Sequence, residues 1–371
     1  MAPITDRKTL RLSVVLPTYN ERANVSVIAE RLLSWKSQFH LELIFVDDDS
    51  IDGTADAVRQ LARVHEQVRL IFRVGRSGLS SAIKEGILSA TGDVVVVMDC
   101  DGQHDPAAVE QAVEALLAGE CDVVIGSRFS SGASTHGLSR QRERNSNLAN
   151  AVARFSLPRY RQLTDYMSGF FALRPDRCLR FVRQVDVNGF KFLYELLAVC
   201  HGQLTVSEVP LEFQPRVHGT SKLNLAVVWD LGVSIVHTLL MRAIPRRAVS
   251  FALVGCFGIC VHLLAFAMVS ALFGLPFEPA QGIAVLTAAI SNYLFNNVLT
   301  FRAQQLRGAT LLFGLLRFLV VASFGMVANV GLSSVFYHHV SAQPLPAMLT
   351  GIAVDFVWKY VASSRFVWNS P

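Results

Sequence analysis

Asp99, Asp101 and Gln103 follow the short apolar run 94–98 at alternate positions. Two carboxylates spaced this way at the end of a strand can approach one hard cation together. Mg2+ and Mn2+ take oxygen ligands and bind diphosphate oxygens at the same time. Gln103 adds a neutral oxygen at the next alternate position. An acidic pair can equally cap a helix, and it is the clean apolar strand before it that favours the metal. A second acidic cluster, Val46-Asp47-Asp48-Asp49-Ser50, is followed by Gly53-Thr54. A carboxylate there can accept hydrogen bonds from a base or a ribose. Ser50, Asp52 or Thr54 would serve as well as a helix N-cap. Pro17-Thr18-Tyr19-Asn20-Glu21 closes the first apolar run, where Tyr19 can stack on a base and Glu21 can bond to it.

These residues need a scaffold, and the pattern around them supplies one. Short apolar runs at 12–16, 43–46, 68–72, 94–98 and 123–125 read as strands. Helical spacing of apolar residues fills 24–35, 54–64, 80–89 and 106–118 between them. Alternating strands and helices predict an α/β fold with a mainly parallel sheet and helices on both faces. Ligands bind such sheets beyond the carboxyl ends of the strands, where both acidic clusters fall. Residues 130–147, rich in Ser, Gly and Arg, read as a loop leading into a helix from about Ser146. It is either a plain solvated loop or one that orders around a bound anion.

The 371 residues allow two domains, and hydrophobic residues make up 51% of them. That excess is uneven. Residues 1–223 mix charged and apolar positions as a globular domain does. Residues 249–362 are dominated by four apolar segments, at about 249–273, 280–300, 313–336 and 345–362. Each approaches the length that spans about 30 Å of hydrocarbon at about 1.5 Å per residue. Between the two parts, 225–241 carries an apolar helical face followed by Arg242, Arg246 and Arg247. That suits a membrane interface, or else a core helix. The expected organisation is therefore a domain over 1–223, an interface segment over 224–247 and a membrane domain over 248–371.

Basic residues flank the segments unevenly. Arg242, Arg246 and Arg247 precede the first, Arg302 and Arg307 follow the second, and Lys359 and Arg365 end the fourth. The loops 274–279 and 337–344 have no Lys or Arg. The positive-inside rule then places the N-terminal domain and both termini in the cytoplasm. Asp355 and Lys359, four apart, can pair on a helix or serve a lipid phosphate. No signal peptide is evident at the N-terminus. A net charge of +5 is too small to argue for nucleic acid. Cys100, Cys121, Cys178, Cys200, Cys256 and Cys260 have neither metal nor disulfide spacing and read as reduced core residues.

Taken together the motifs resemble glycosyltransferase family 2, and more closely the dolichyl-phosphate mannose synthases. PTYNE at 17–21, DDDS at 47–50, DGT at 52–54, DCDGQHDP at 99–106 and GSRF at 126–129 stand in the family's order. DYMSGFFALRP at 165–175, GFKFLYELL at 189–197, EVP at 208–210 and RVHGTSKL at 216–223 continue it. The last 120 or so residues resemble the GtrA-type four-helix membrane domain, with NYLFNNVLTF at 292–301 and KYVASSRFVW at 359–368 as its paired helix-end motifs.

The resemblance implies a GT-A catalytic domain and a set of roles. Pro17, Tyr19, Glu21, Val46, Asp48 and Asp99 would contact the nucleotide, and Asp99, Asp101 and Gln103 would hold Mg2+ or Mn2+. Arg128, Lys191, Arg216, Ser221 and Lys222 would bind phosphate oxygens, and Arg142, in competition with Arg140 and Arg144, would be the loop arginine. Asp101, Arg128, Arg142, Arg216 and Lys222 would carry catalysis. Where the family often reads DDNS this chain has Asp49, which leaves open which carboxylate faces the nucleoside.

The implied reaction is inverting transfer of mannose from GDP-mannose to a dolichyl- or undecaprenyl-type phosphate. Such an acceptor is already a competent nucleophile at neutral pH, so no strong general base is required. Competing readings are a UDP-sugar transferase, such as a polyprenyl-phosphate glucosyltransferase, and a lipid-linked sugar flippase.

Overall fold

The computed structural model describes residues 10–75, 78–134, 137, 139–187, 191–214, 225–340 and 344–369. Of the site candidates, Arg216, Ser221 and Lys222 lie outside these residues. The chain divides by its contacts into one unit ending at Thr238 and a second beginning at Leu239.

The first unit opens with β1 (Arg11–Thr18), α1 (Arg22–Leu33), β2 (His40–Asp47), α2 (Thr54–Val64), β3 (Val68–Phe72) and α3 (Leu79–Ser89). There follow β4 (Val94–Val97), α4 (Ala107–Leu117), β5 (Val123–Ser127) and α5 (Arg140–Ser156). It closes with β6 (Phe171–Leu173), α6 (Pro175–Val182), α7 (Phe192–Cys200), β7 (Val206–Pro210) and α8 (Leu225–Leu239).

The seven strands form one sheet in the order β3-β2-β1-β4-β6-β5-β7. All pairings are parallel except those of β6, which runs antiparallel to β4 and β5. Because successive side chains point to opposite faces, each strand feeds two cores. Val15, Val95 and Val97 pack with α3, α6 and α7 on one face. Val14, Leu16, Val94 and Val96 pack with α1 and α4 on the other. Burial on both faces is why these strands read as unbroken apolar runs rather than alternating ones. After β3 the chain crosses to the far side of β1 to form β4. The crevice between the carboxyl ends of β1 and β4 is thus a topological switch point, the place where open α/β sheets bind ligands.

Helix α8 ends at Leu239, and its Leu231 and Ile235 pack with the core of the first unit. Two expectations need correction. The helix expected from about Ser146 begins at Arg140, so Arg140, Arg142 and Arg144 stand on its first turns rather than in a loop. Ser139 caps it, its hydroxyl accepting from the Arg142 N–H. The arginine-rich composition hid an ordinary serine cap followed by good helix formers. The same helix exposes Leu148, Val152 and Phe155 along one face. Second, only Cys100, Cys121, Cys178 and Cys200 are buried. Cys256 and Cys260 are exposed. They sit on a helix apolar all round, which leaves apolar side chains outside wherever no neighbour covers them.

The second unit holds α9 (Arg246–Phe273), α10 (Phe277–Phe295), α11 (Ala309–His339) and α12 (Pro344–Phe366), with a π-turn at Asn296–Thr300. Among the described residues, Arg246–Phe273 and Gly282–Thr300 are long and apolar enough to cross a membrane. The two helix-end motifs meet at Trp368. Its ring stacks on Phe301 at 4.2 Å between centroids, and its N–H donates to Asn297 Oδ1 at 3.0 Å. Asp355 and Lys359 pair along α12 at 2.7 Å.

Candidate active site

At the ends of β1 and β2, two loops are knitted together. Pro17 and Val46 are register partners and both are buried. The Asn20 N–H donates to Ser50 Oγ at 2.8 Å, and the Ile51 N–H to Asn20 Oδ1 at 3.1 Å. The acidic residues divide the work between them. Asp47 turns inward and accepts from both the hydroxyl and the N–H of Ser50. Asp52 accepts from the N–H groups of Thr54 and Arg22, closing the starts of α2 and α1. Asp49 has φ of 64°, a region that Asn and Asp tolerate better than most residues. Asp48 is buried, held by Arg73 at 2.8 Å and by the Gly78 N–H at 2.8 Å. Tyr19 and Glu21 are half-buried on the same rim, and the Glu21 carboxylate accepts from Asn24 at 2.7 Å.

Beyond β4, Asp101 and Gln103 are buried while the Asp99 side chain is 35% exposed. Asp101 Oδ1 accepts the Gln103 N–H at 3.0 Å. The Gln103 amide nitrogen donates to the Gln214 carbonyl at 3.1 Å. His104 is buried against Phe170 and Phe213, and its Nδ1 accepts the Asp99 N–H at 3.1 Å. Burial holds this imidazole below its usual pKa and hence neutral, which suits an acceptor.

Gly169 lies against the Asp99 carboxylate, and a Cβ there would sit 2.5 Å from Oδ2. Gly169→Ala is therefore expected to push Asp99 aside and lower turnover by roughly tenfold or more, on the scale of about 1.4 kcal/mol per decade. The loss should show in kcat with the melting temperature little changed, and an alanine variant of wild-type kcat would refute the positioning.

A set of cations stands beside these carboxylates. Arg128 makes a bidentate pair with Asp165, at 2.7 and 2.9 Å, and lies over the Phe129 and Phe213 rings. Burial alone would raise the Asp165 carboxyl, but the charge and hydrogen bonds of Arg128 hold it below the usual carboxylate range. Glu208 fixes Asp165 in turn, accepting the N–H of Asp165 at 3.0 Å and both the N–H and hydroxyl of Thr164.

Lys191 donates to the Met167 carbonyl at 3.0 Å. Burial, and then Arg128, pull its pKa down to about 8, while Asp99 and Asp165 oppose the shift. Arg142 also acts on Lys191, and it is half-buried where Arg140 and Arg144 are exposed. Arg142 is thus the half-buried member of the three, and its charge is felt at Lys191.

The structure brings Asp99, Arg128, Arg142 and Lys191 within electrostatic reach of one another. It also adds residues the sequence reading did not single out: Arg73, His104, Asp165, Gly169 and Glu208. Asp165, Gly169 and Glu208 lay within motifs already matched, and nothing in their types alone marked a role. Among the described residues no three His, Cys, Asp or Glu side chains come together as a metal cluster. The protein offers two carboxylates and an amide oxygen. That hard but incomplete set suits Mg2+ or Mn2+ completed by phosphate oxygens and water.

Residues 13–178 match the glycosyl transferase family 2 model, and 250–368 match the GtrA/DPMS transmembrane domain. The chain is 34% identical to a dolichol-phosphate mannosyltransferase of Pyrococcus furiosus over 362 residues, 97% of this chain and 99% of that one. It is 34% identical to the dolichol-phosphate mannosyltransferase of Saccharomyces cerevisiae over 229 residues, 59% of this chain and 84% of that one. A looser likeness, at 22% identity and a TM-score of 0.48, is to glucosyl-3-phosphoglycerate synthase from Mycobacterium tuberculosis over 63% of this chain and 79% of that one. Near-complete coverage of the archaeal relative includes both the catalytic and the membrane parts. The chain therefore belongs to the dolichol-phosphate mannosyltransferase family, as a family 2 glycosyltransferase joined to a GtrA/DPMS transmembrane domain.

Proposed function

We propose that this enzyme transfers mannose from GDP-mannose to a dolichyl- or undecaprenyl-type polyprenyl phosphate, with inversion, giving β-linked polyprenyl-phosphate mannose. The observation that carries the reading is the opposition of Asp99 to Arg128 and Lys191 at the sheet's switch point. Two anionic substrates must meet there, and repulsion between them is the main obstacle. The acceptor's second pKa is about 6, so it attacks without a base. What the protein must supply is countercharge.

Asp99, Asp101 and the Gln103 oxygen would hold Mg2+ or Mn2+, which supplies positive charge to the departing diphosphate. Asp48 and Glu21 orient the nucleoside, and Tyr19 stacks on it. Lys191 and Arg142 meet phosphate oxygens, aided by Arg216, Ser221 and Lys222. Arg128, already paired with Asp165, presents its remaining N–H edge in a fixed direction. The four helices of the second unit span the bilayer, with the catalytic domain and both termini on the cytoplasmic side, following the basic residues at their ends. Residues 224–247 lie at the interface.

The test is transfer by the purified full chain of labelled sugar to a short polyprenyl phosphate. GDP-mannose is expected to be used, and strong preference for UDP-glucose would overturn the donor assignment.

The charge of Lys191 makes a second measurable expectation. Its proton is lost near pH 8, so between about pH 7 and about pH 9 the KM for donor should rise roughly tenfold, following the protonated fraction. Lys191→Arg should flatten that rise, and a wild-type KM independent of pH would remove Lys191 from the donor site. The sign on stability is opposite. The folded pKa of about 8 lies below the ordinary 10.5, so between those two values folding sheds this proton and stability rises with pH from about 8 to about 10.5.

A further inference from the structure

Asp99 is the most exposed of the three expected metal ligands, yet its carboxylate is closely confined. Two groups crowd Oδ2. A Cβ on Gly169 would meet it at 2.5 Å, and His104 Nε2 lies 4.0 Å from it. The backbone beneath the carboxylate is fixed as well. Strand β4 ends at Val97, and the Met98 N–H still donates to the Val15 carbonyl at 3.1 Å. The next N–H, that of Asp99, lies beyond the strand and donates to His104 Nδ1 at 3.1 Å.

His104 is held by packing. It is 2% exposed, with the Phe170 ring edge-on at 5.9 Å and the Phe213 ring tilted at 5.7 Å between centroids. Its backbone bridges to Phe213. Beside that bridge the Gln214 N–H donates to the Gln103 carbonyl at 2.9 Å, and the Gln103 amide returns a bond at 3.1 Å. Phe170 follows Gly169 directly, so one dipeptide touches both Asp99 and His104.

A ring nitrogen that accepts a hydrogen bond carries no proton. With Nδ1 accepting, the imidazole proton is on Nε2. Neither nitrogen is then offered to a metal. The separation of 4.0 Å from Asp99 Oδ2 is too long for a hydrogen bond. The imidazole therefore acts on Asp99 through the backbone N–H and by filling the space beside Oδ2. Without that buried acceptor the turn would shift to find another, and the carboxylate would move with it.

We propose that His104 is a positioning residue for the metal site, its Nδ1 fixing the Asp99 backbone so that this carboxylate meets the cation together with Asp101. The inference rests on the reading of Asp99 and Asp101 as metal ligands. A ligand held to within about 0.5 Å of its working position needs its backbone fixed as firmly as its side chain.

The test uses the full chain in detergent with GDP and titrates Mn2+, following the free ion by its paramagnetic resonance signal. An Asn amide falls near the place of Nδ1, a Gln amide falls near Nε2, and Leu offers neither. His104→Leu and His104→Gln should weaken Mn2+ by roughly tenfold or more, and His104→Asn should stay within about threefold of wild type. In transfer assays the Mn2+ needed for half-maximal activity should move the same way, with kcat at saturating Mn2+ kept within about threefold. A merely structural role would make metal affinity follow the melting temperature rather than the acceptor.

Wild-type Mn2+ affinity in His104→Leu would overturn the inference, and so would a His104→Asn as weak as His104→Leu. If His104→Leu does not fold, the contrast between His104→Asn and His104→Gln decides alone, and equal affinities there would be equally fatal. A wild type that binds no Mn2+ would overturn the metal assignment itself, and this inference with it.

Discussion

Asp101→Ala is expected to lose at least about a thousandfold in mannosyl transfer, while the protein remains folded and in the membrane. A bound divalent cation supplies several kcal/mol of transition-state stabilisation, and each 1.4 kcal/mol or so is a decade in rate. Asp101 also has a structural task, because its Oδ1 accepts the Gln103 N–H at 3.0 Å. Asp101→Asn separates the two roles, since an amide oxygen can still accept that bond but carries no charge. Loss of transfer in both variants, with near-wild-type melting for the asparagine, assigns the effect to the charge. Substantial turnover by Asp101→Asn in the presence of EDTA would refute the metal assignment.

The second large effect is on the fold as well as the chemistry. Asp165 is fully buried and paired in two bonds with Arg128, itself 10% exposed. Removing one partner of a buried pair leaves an uncompensated charge and costs about 3–5 kcal/mol. Asp165→Ala should therefore lower the melting temperature of the catalytic domain by roughly 10 °C, given about 2–4 °C per kcal/mol for a domain of this size. Transfer should fall too, because the guanidinium loses its fixed direction.

The pH dependence has a definite sign. The Asp165 carboxyl titrates below its ordinary value, so its contribution is present above about pH 4 and is lost as the pH falls through the folded pKa. An Asp165→Ala protein that melts with the wild type and shows the same acid limb would show that Arg128 does not depend on it.

Periodicity and strand-end chemistry placed much of this protein. Runs such as 94–97 have no polar alternation because both faces of the sheet are covered, and that makes them conspicuous. The helix over Thr54–Val64 and the strand over Val68–Phe72 fall where their spacing put them. Asp99 and Asp101 follow β4 directly, so their nearness is a local fact and needs no tertiary information. The membrane helices were legible for a similar reason. Hydrocarbon length demands long apolar runs, and few other structures do.

The misreadings have physical causes as well. The start of α5 was hidden because arginine and serine are common in loops, whereas Ser139 as a cap depends on geometry. Cys256 and Cys260 were placed in a core because composition does not tell one face of an apolar helix from another.

What the sequence determined by itself was the alternation of strand and helix, the acidic motifs at strand ends and the division into a catalytic and a membrane part. Each follows from local pattern. Tertiary structure alone decided which carboxylate does what. Asp47, Asp48, Asp49 and Asp52 are close in sequence and alike in type, yet they bond respectively to Ser50, Arg73, the Gly75 N–H and the N–H groups of two helix starts. It also decided that β6 inserts antiparallel between β4 and β5, bringing Gly169 against Asp99. The relay from Glu208 through Asp165 to Arg128 joins residues 43 and 37 positions apart. Hydrogen bonds of that reach leave no periodicity in the chain, because they depend on which strands the fold lays side by side.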